Sequence, residues 1–288
     1  MLLKRNEINI RDPFVLVHEG KYYMYGTRCN PKYNEKTFRG FDVYVSDDLE
    51  HWTEPKSVFE AYDGFEGTKD FWAPEVHVYN GRFYMFASFK SDAIPRWCQI
   101  LVSDTPDGFF EVHSEKITPS AWECLDGTLY VENNTPYMVF CHEWLQVING
   151  EVCAVELEQD LTKAKGQPFV LWRAKDAAWV CPENAAKYFE DGHDFNGYVT
   201  DAPFFYKSGT GRLCSLWSSY SKEGYSLASA YSDSNSIKGK WHVDDELLFA
   251  KDGGHGMIFT DLDGQQKLAI HQPNTCGDER PVFLKVNL

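Results

Sequence analysis

Three acids that are distant along the chain, Asp12, Asp126 and Asp201, each stand at the head of a strand-like segment. Carboxyl groups that converge from separate segments can flank one bond between two sugars. One protonates the leaving oxygen while the other activates water. A gap of roughly 6.5–9.5 Å leaves room for that water and predicts inversion, whereas roughly 5–5.5 Å predicts retention. Taken singly, an Asp before Pro or Gly is an ordinary turn residue that satisfies its own backbone. Recurrence at equivalent points of repeated segments raises the chemical reading above turn duty. Asp47, Asp48, Asp104 and Asp233 also recur, but in the turns of outer strands, where the plain turn reading holds.

The repeats supply the scaffold. Asp12-Pro13-Phe14 and Ala73-Pro74-Glu75 open two segments that align without a gap, matching Gly20 with Gly81 and Tyr23-Met24 with Tyr84-Met85. Weaker copies begin at Asp126, Asp201 and His255, at intervals of roughly 50–75 residues, the signature of repeated supersecondary units. Each copy runs from an apolar strand through a tight turn into a Tyr/Phe-rich strand. Alternating segments such as 41–52, 99–110 and 227–234 supply outer strands. Five such units predict an all-β, five-bladed β-propeller spanning residues 1–288 as a single domain. Its innermost strands put their first residues around one mouth of the central channel. A β-sandwich would give no reason for a five-fold recurrence. Ring closure is expected from residues 4–10 or 281–287 pairing as a strand with the last blade. Longer loops are expected at 30–40, 62–70 and 172–197, and one short helix within 181–189.

Composition narrows the partners. The 288 residues carry a formal charge of −15, which argues against nucleic acid, whose phosphates need basic partners. Aromatic residues make up 16% and favour strands. No run of eighteen apolar residues exists to span a membrane. The first residues lack the apolar core of a signal peptide, so the chain as written is expected in the cytoplasm, the alternative being secretion with a leader removed. Eight scattered cysteines without a C-x-x-C pair read as buried, reduced thiols. Oligomeric state is not encoded in any pattern found here.

Arg11-Asp12-Pro13, Phe71-Trp72-Ala73-Pro74-Glu75, Asp126-Gly127-Thr128, Thr200-Asp201-Ala202-Pro203 and Gly253-Gly254-His255-Gly256-Met257 together resemble the blade motifs of glycoside hydrolase family 43. The resemblance runs in order over nearly the whole chain. It implies an inverting five-bladed propeller acting on arabinose- and xylose-containing glycans. Asp12 would be the general base, Asp126 the modulator of the acid, and Asp201 the acid. Where the family has Glu in that last slot this chain has Asp, whose carboxyl sits about 1.5 Å further back. A displacement on that scale can cost on the order of 10²-fold in rate; Glu183 and Glu143 are therefore reserve acids. The resemblance also implies that His255 meets a hydrated calcium ion, the alternative being a hydrogen-bonded histidine with no ion. Trp72 is placed to stack on a sugar ring, with Phe14, Trp144 and His271 as weaker contacts and Arg280 as a hydroxyl ligand. The expected activity is release of L-arabinofuranose or D-xylose from arabinan- or xylan-derived oligosaccharides. Endo-1,5-α-L-arabinanase is the alternative within the class, and an inactive carbohydrate-binding propeller the alternative outside it. A protein-interaction propeller fits least, since it gives no reason for an acid cluster.

Overall fold

A computed structural model describes residues 2–29, 38–187 and 194–288. Most of the expected loop at 30–40 therefore lies outside the described residues. Five antiparallel sheets follow one another along the chain. Their innermost strands are Ile10–His18, Lys69–Tyr79, Cys124–Glu132, Asp201–Lys207 and Gly254–Thr260. Each pairs with the strand that follows it: Lys21–Arg28, Arg82–Lys90, Thr135–His142, Leu213–Ser221 and Gln266–Gln272. This is the five-bladed propeller that the repeats predict. Among the described residues no helix is long and apolar enough to cross a membrane. All eight cysteines are free thiols, six of them buried.

Every blade begins with the same backbone distortion. Asp12, Ala73, Asp126, Ala202 and His255 all have positive φ, between 46° and 55°. Each falls where the register between first and second strand shifts. A non-glycine residue in this region costs about 1–2 kcal/mol, so five at equivalent places imply strong local compensation. The compensation is a hydrogen bond to the neighbouring blade at every step. The amide of Ala73 donates to Thr27 Oγ1 (2.7 Å), that of Asp126 to Ser88 Oγ (3.0 Å), and that of His255 to Ser218 Oγ (2.9 Å). The amide of Asp12 closes the circle on His271 Nδ1 (3.2 Å). The corresponding residue of blade three is Cys141, a weak acceptor, and there the Asp126 carboxylate takes the Ala202 amide instead (2.9 Å).

Of the two segments expected to pair with the last blade, 281–287 does so as far as Lys285, and 4–10 does not. Leu3–Lys4 pairs with His51–Trp52 at the outer edge of blade one, and blade five keeps three strands, the outermost being Arg280–Lys285. The first and last blades are instead joined by the Asp12–His271 bond, by Asn9 Nδ2 donating to the Glu279 carbonyl (3.0 Å), and by Arg280 Nε donating to the Asn6 carbonyl (2.9 Å). Trp52 packs on Phe283 across the same seam. Two residues beyond each distortion, Phe14, Glu75, Thr128, Phe204 and Met257 form the next layer of the channel. Phe14 and Phe204 meet there edge to face at 6.3 Å. The helix expected within 181–189 is replaced, in its described part, by the strand Glu183–Asn184 and a single 3-10 turn, Ala185–Lys187. That strand pairs with Asn196–Gly197, because its neighbours pack onto Trp144 rather than onto a helical face.

Candidate active site

The blade distortions bring Asp12, Asp126 and His255 to one point. Asp12 is held from three directions. Thr27 Oγ1 donates to its Oδ2 (2.6 Å), His255 Nδ1 lies 3.0 Å from its Oδ1, and its amide is bound by His271. Burial alone would raise the carboxyl, but His255, His271 and Arg11 outweigh it and hold Asp12 well below the usual carboxylate range. Burial lowers His255 to about 4, so the ring is neutral at working pH, its Nδ1 lying beside Asp12 Oδ1. Asp126 Oδ2 lies 3.9 Å from the same His255 nitrogen.

Asp201 stands one residue before the distortion of its blade. That is the register of Arg11, Trp72, Leu125 and Gly254, and its side chain belongs to the rim of the mouth. Its surface is partly open. The surrounding blades nevertheless strip most of its water, and this desolvation pushes Asp201 up to about 7. The Tyr225 hydroxyl donates to Asp201 Oδ2 (3.0 Å) and opposes the rise, while Glu143 and Asp12 add to it and Arg11 offsets it. Asp126 is itself pushed up, first by burial and then by Asp201 and Asp12. Two carboxyls so placed do not ionise independently, and between them they keep a proton to near neutral pH.

The remaining residues named from sequence divide. Trp72 is partly exposed at the rim, and the Arg96 guanidinium stacks 4.0 Å from its ring centre. Arg96 is buried, bound by Glu143 and by Asp70 Oδ2 (2.7 Å). Phe14 is buried in the channel layer below the acids, against His77, and is no surface for a sugar. Trp144 is also buried, packing with Ala185, Val199 and Phe195 to seat the insertion. His271 is fully buried and positions Asp12. Arg280 points outward to backbone carbonyls of Asn6, Gly277 and Glu279, because alternate residues of a strand face opposite sides. Its neighbour Glu279 faces inward and binds Arg11 Nη1 (3.2 Å). Of the reserve acids, Glu183 is engaged by Lys187 (2.7 Å), whereas Glu143 is buried beside Arg96 and acts electrostatically on Asp201. Among the described residues no group of three His, Cys, Asp or Glu is arranged to hold a metal ion directly.

Sequence reasoning missed Arg11, Thr27 and Tyr225. Arg11 carried a signal, since it occupies the register of Trp72. Thr27, Ser88 and Ser218 also shared one, a small hydroxyl residue at the same place in the second strand of three repeats. Tyr225 had none.

A propeller mouth that gathers Asp12, Asp126 and Asp201 beside a partly exposed indole suits a glycoside hydrolase. The chain belongs to the family described as Glycosyl hydrolases family 43, whose profile matches residues 7–286. Among solved structures it is similar to an endo-arabinase from Bacteroides thetaiotaomicron, at 38% identity and a TM-score of 0.89, over 99% of this chain and 97% of that one. An endo-1,4-beta-xylanase from the same organism aligns at 22% identity and a TM-score of 0.72, over 100% and 97% of the two chains. An alpha-L-arabinofuranosidase from Lactobacillus brevis aligns at 16% and 0.73, over 96% and 90%. The last two likenesses speak for the fold alone. A comparison with curated proteins found no significant match.

Proposed function

We propose that residues 1–288 form one catalytic unit that hydrolyses α-L-arabinofuranosyl linkages of arabinan-derived oligosaccharides by single displacement. The observation that carries this reading is the convergence of Asp12, Asp126 and the Asp201–Ala202 peptide at one mouth of a family 43 propeller, where neighbours hold Asp12 down and desolvation pushes Asp201 up. Asp12, ionised throughout the working range, takes a proton from water as its oxygen attacks the anomeric carbon. Asp201 gives its proton to the departing oxygen, and the bond from that oxygen to the anomeric carbon breaks with inversion. Asp126 holds the Ala202 amide, which orients the Asp201 peptide, and shares the retained proton. Trp72 presents its ring to the sugar, fixed from behind by Arg96.

Arabinan as the polymer rests on the 38% identity to the endo-arabinase, and the same likeness favours a second reading, internal cleavage of linear arabinan. A calcium ion, if bound, would be held beside His255 mainly through its own water and would help hold the carboxylates in place. Incubation with linear arabinan and short arabino-oligosaccharides tests the proposal. Free arabinose formed first as the inverted anomer supports terminal cleavage, and an early ladder of oligomers supports the internal mode. Turnover no greater than that of Asp12→Asn, with binding intact, would identify a binding propeller. Faster hydrolysis of aryl β-xyloside than of aryl arabinofuranoside would reassign the sugar. Activity unchanged by exhaustive chelation would remove calcium.

A further inference from the structure

In the register just before the distortion, four blades carry a side chain: Arg11, Trp72, Leu125 and Asp201. The fifth has Gly254. A Cβ at Gly254 would lie 2.8 Å from Tyr225 Cε1. The missing fifth side chain is thus replaced by a tyrosine reaching over from the third strand of blade four, Gly224–Ser232. Its placement is tightly determined. Tyr225 is 1% exposed, and its carbonyl accepts the Gly253 amide (2.9 Å). Its ring lies nearly parallel to that of His271, centres 5.6 Å apart and planes at 13°. His271 Nε2 contacts Asn274 Oδ1 (3.1 Å), and Asn274 Nδ2 donates to the Tyr220 hydroxyl (3.0 Å). The Tyr220 ring closes the group, 5.3 Å from Tyr225.

We infer that Tyr225 is the positioning residue for the acid: its hydroxyl fixes Asp201 Oδ2, so that Oδ1 carries the proton toward the leaving oxygen. The inference rests on the assignment of Asp201 above. A carboxyl on a side chain one methylene shorter than Glu has less reach and must be aimed, and a single rigid donor on a buried ring does this. The same ring packs on the histidine that holds the Asp12 amide, so acid and base are registered against one plate. Other ionisable groups facing the pair are Asp12 and Arg11 of blade one, Asp126 and Glu143 of blade three, and His255 and His271 of blade five.

Tyr225→Phe keeps the ring and removes the donor. On arabino-oligosaccharides, kcat/KM should fall by about tenfold or more. Because the lost hydrogen bond favoured the charged carboxylate, the alkaline limb of the pH profile should move to higher pH. On 2,4-dinitrophenyl arabinofuranoside, whose leaving group needs no proton, the loss should stay within about twofold. A purely structural role would depress both substrates alike and leave the limb in place, and that result would overturn the inference. Asp201→Asn is measured in parallel. If it retains full oligosaccharide activity, the acid assignment falls and the role of Tyr225 with it. If it is inactive on oligosaccharide while Tyr225→Phe matches the wild type on both substrates, only the positioning role falls.

Discussion

Thr27→Val probes the joint on which both the propeller ring and the base depend. Thr27 Oγ1 donates to the Asp12 carboxylate and accepts the Ala73 amide, so its removal breaks a charge-assisted bond and an interblade bond together. The first is worth about 1.5–3 kcal/mol, and a buried N–H left without an acceptor costs about 1–3 kcal/mol. The combined loss is about 3–5 kcal/mol, or a drop in Tm on the order of 5–10 °C. Ser88→Ala removes the cap of the Asp126 amide and a long contact with Cys98 Sγ (3.9 Å), and should cost about 1–3 kcal/mol. The two losses should also differ in pH dependence. Asp12 has a folded-state pKa below its unfolded one, so its stabilisation is present above the ordinary carboxylate range and fades as pH falls through the folded value. The excess cost of Thr27→Val should therefore persist at pH 3, below the ordinary carboxylate range, and shrink only as pH falls through the depressed folded value, while that of Ser88→Ala stays level throughout. Urea unfolding of both variants at pH 7 and pH 3 measures this. Equal costs at pH 7, or a Thr27→Val cost under about 1 kcal/mol, would refute the view that the hydroxyl anchors the ring and the base together.

Asp201 should cost stability where it is ionised. Its folded pKa of about 7 lies above its unfolded value, so its contribution is full below about pH 4 and is lost as pH rises through 7. Asp201→Asn should abolish that loss and, relative to wild type, gain about 2–4 kcal/mol between pH 4.5 and pH 8, read by denaturant titration. A wild-type stability that is flat over this range would contradict the raised carboxyl. Trp72→Ala should raise KM on arabino-oligosaccharides by about tenfold with a smaller effect on kcat, since the exposed indole binds sugar before and during reaction alike. An unchanged KM would remove Trp72 from the sugar's contact surface.

Much of the architecture was readable in one dimension. The unit that recurs is a strand pair with a fixed turn, and a repeat of that kind cannot bury its faces without neighbours, so five copies imply a ring. Asp12, Asp126 and His255 were readable for the same reason, because they occupy one position of the repeat. The sugar contacts were read less well. Trp144 and Phe14 are large aromatic residues near site motifs, and only depth distinguishes a channel plug or a loop seat from a platform. Glu279 rather than Arg280 faces inward, because strand parity at the chain's last blade is not fixed by composition.

The sequence by itself determined the blade count, the three carboxylates and the membership of a hydrolase family, because periodicity and residue type are local quantities. Tertiary structure alone decided which carboxyls are pushed up, since desolvation and mutual repulsion depend on through-space neighbours. It also decided that a glycine on one blade makes room for a tyrosine from another, a relation between surfaces that no spacing along the chain records.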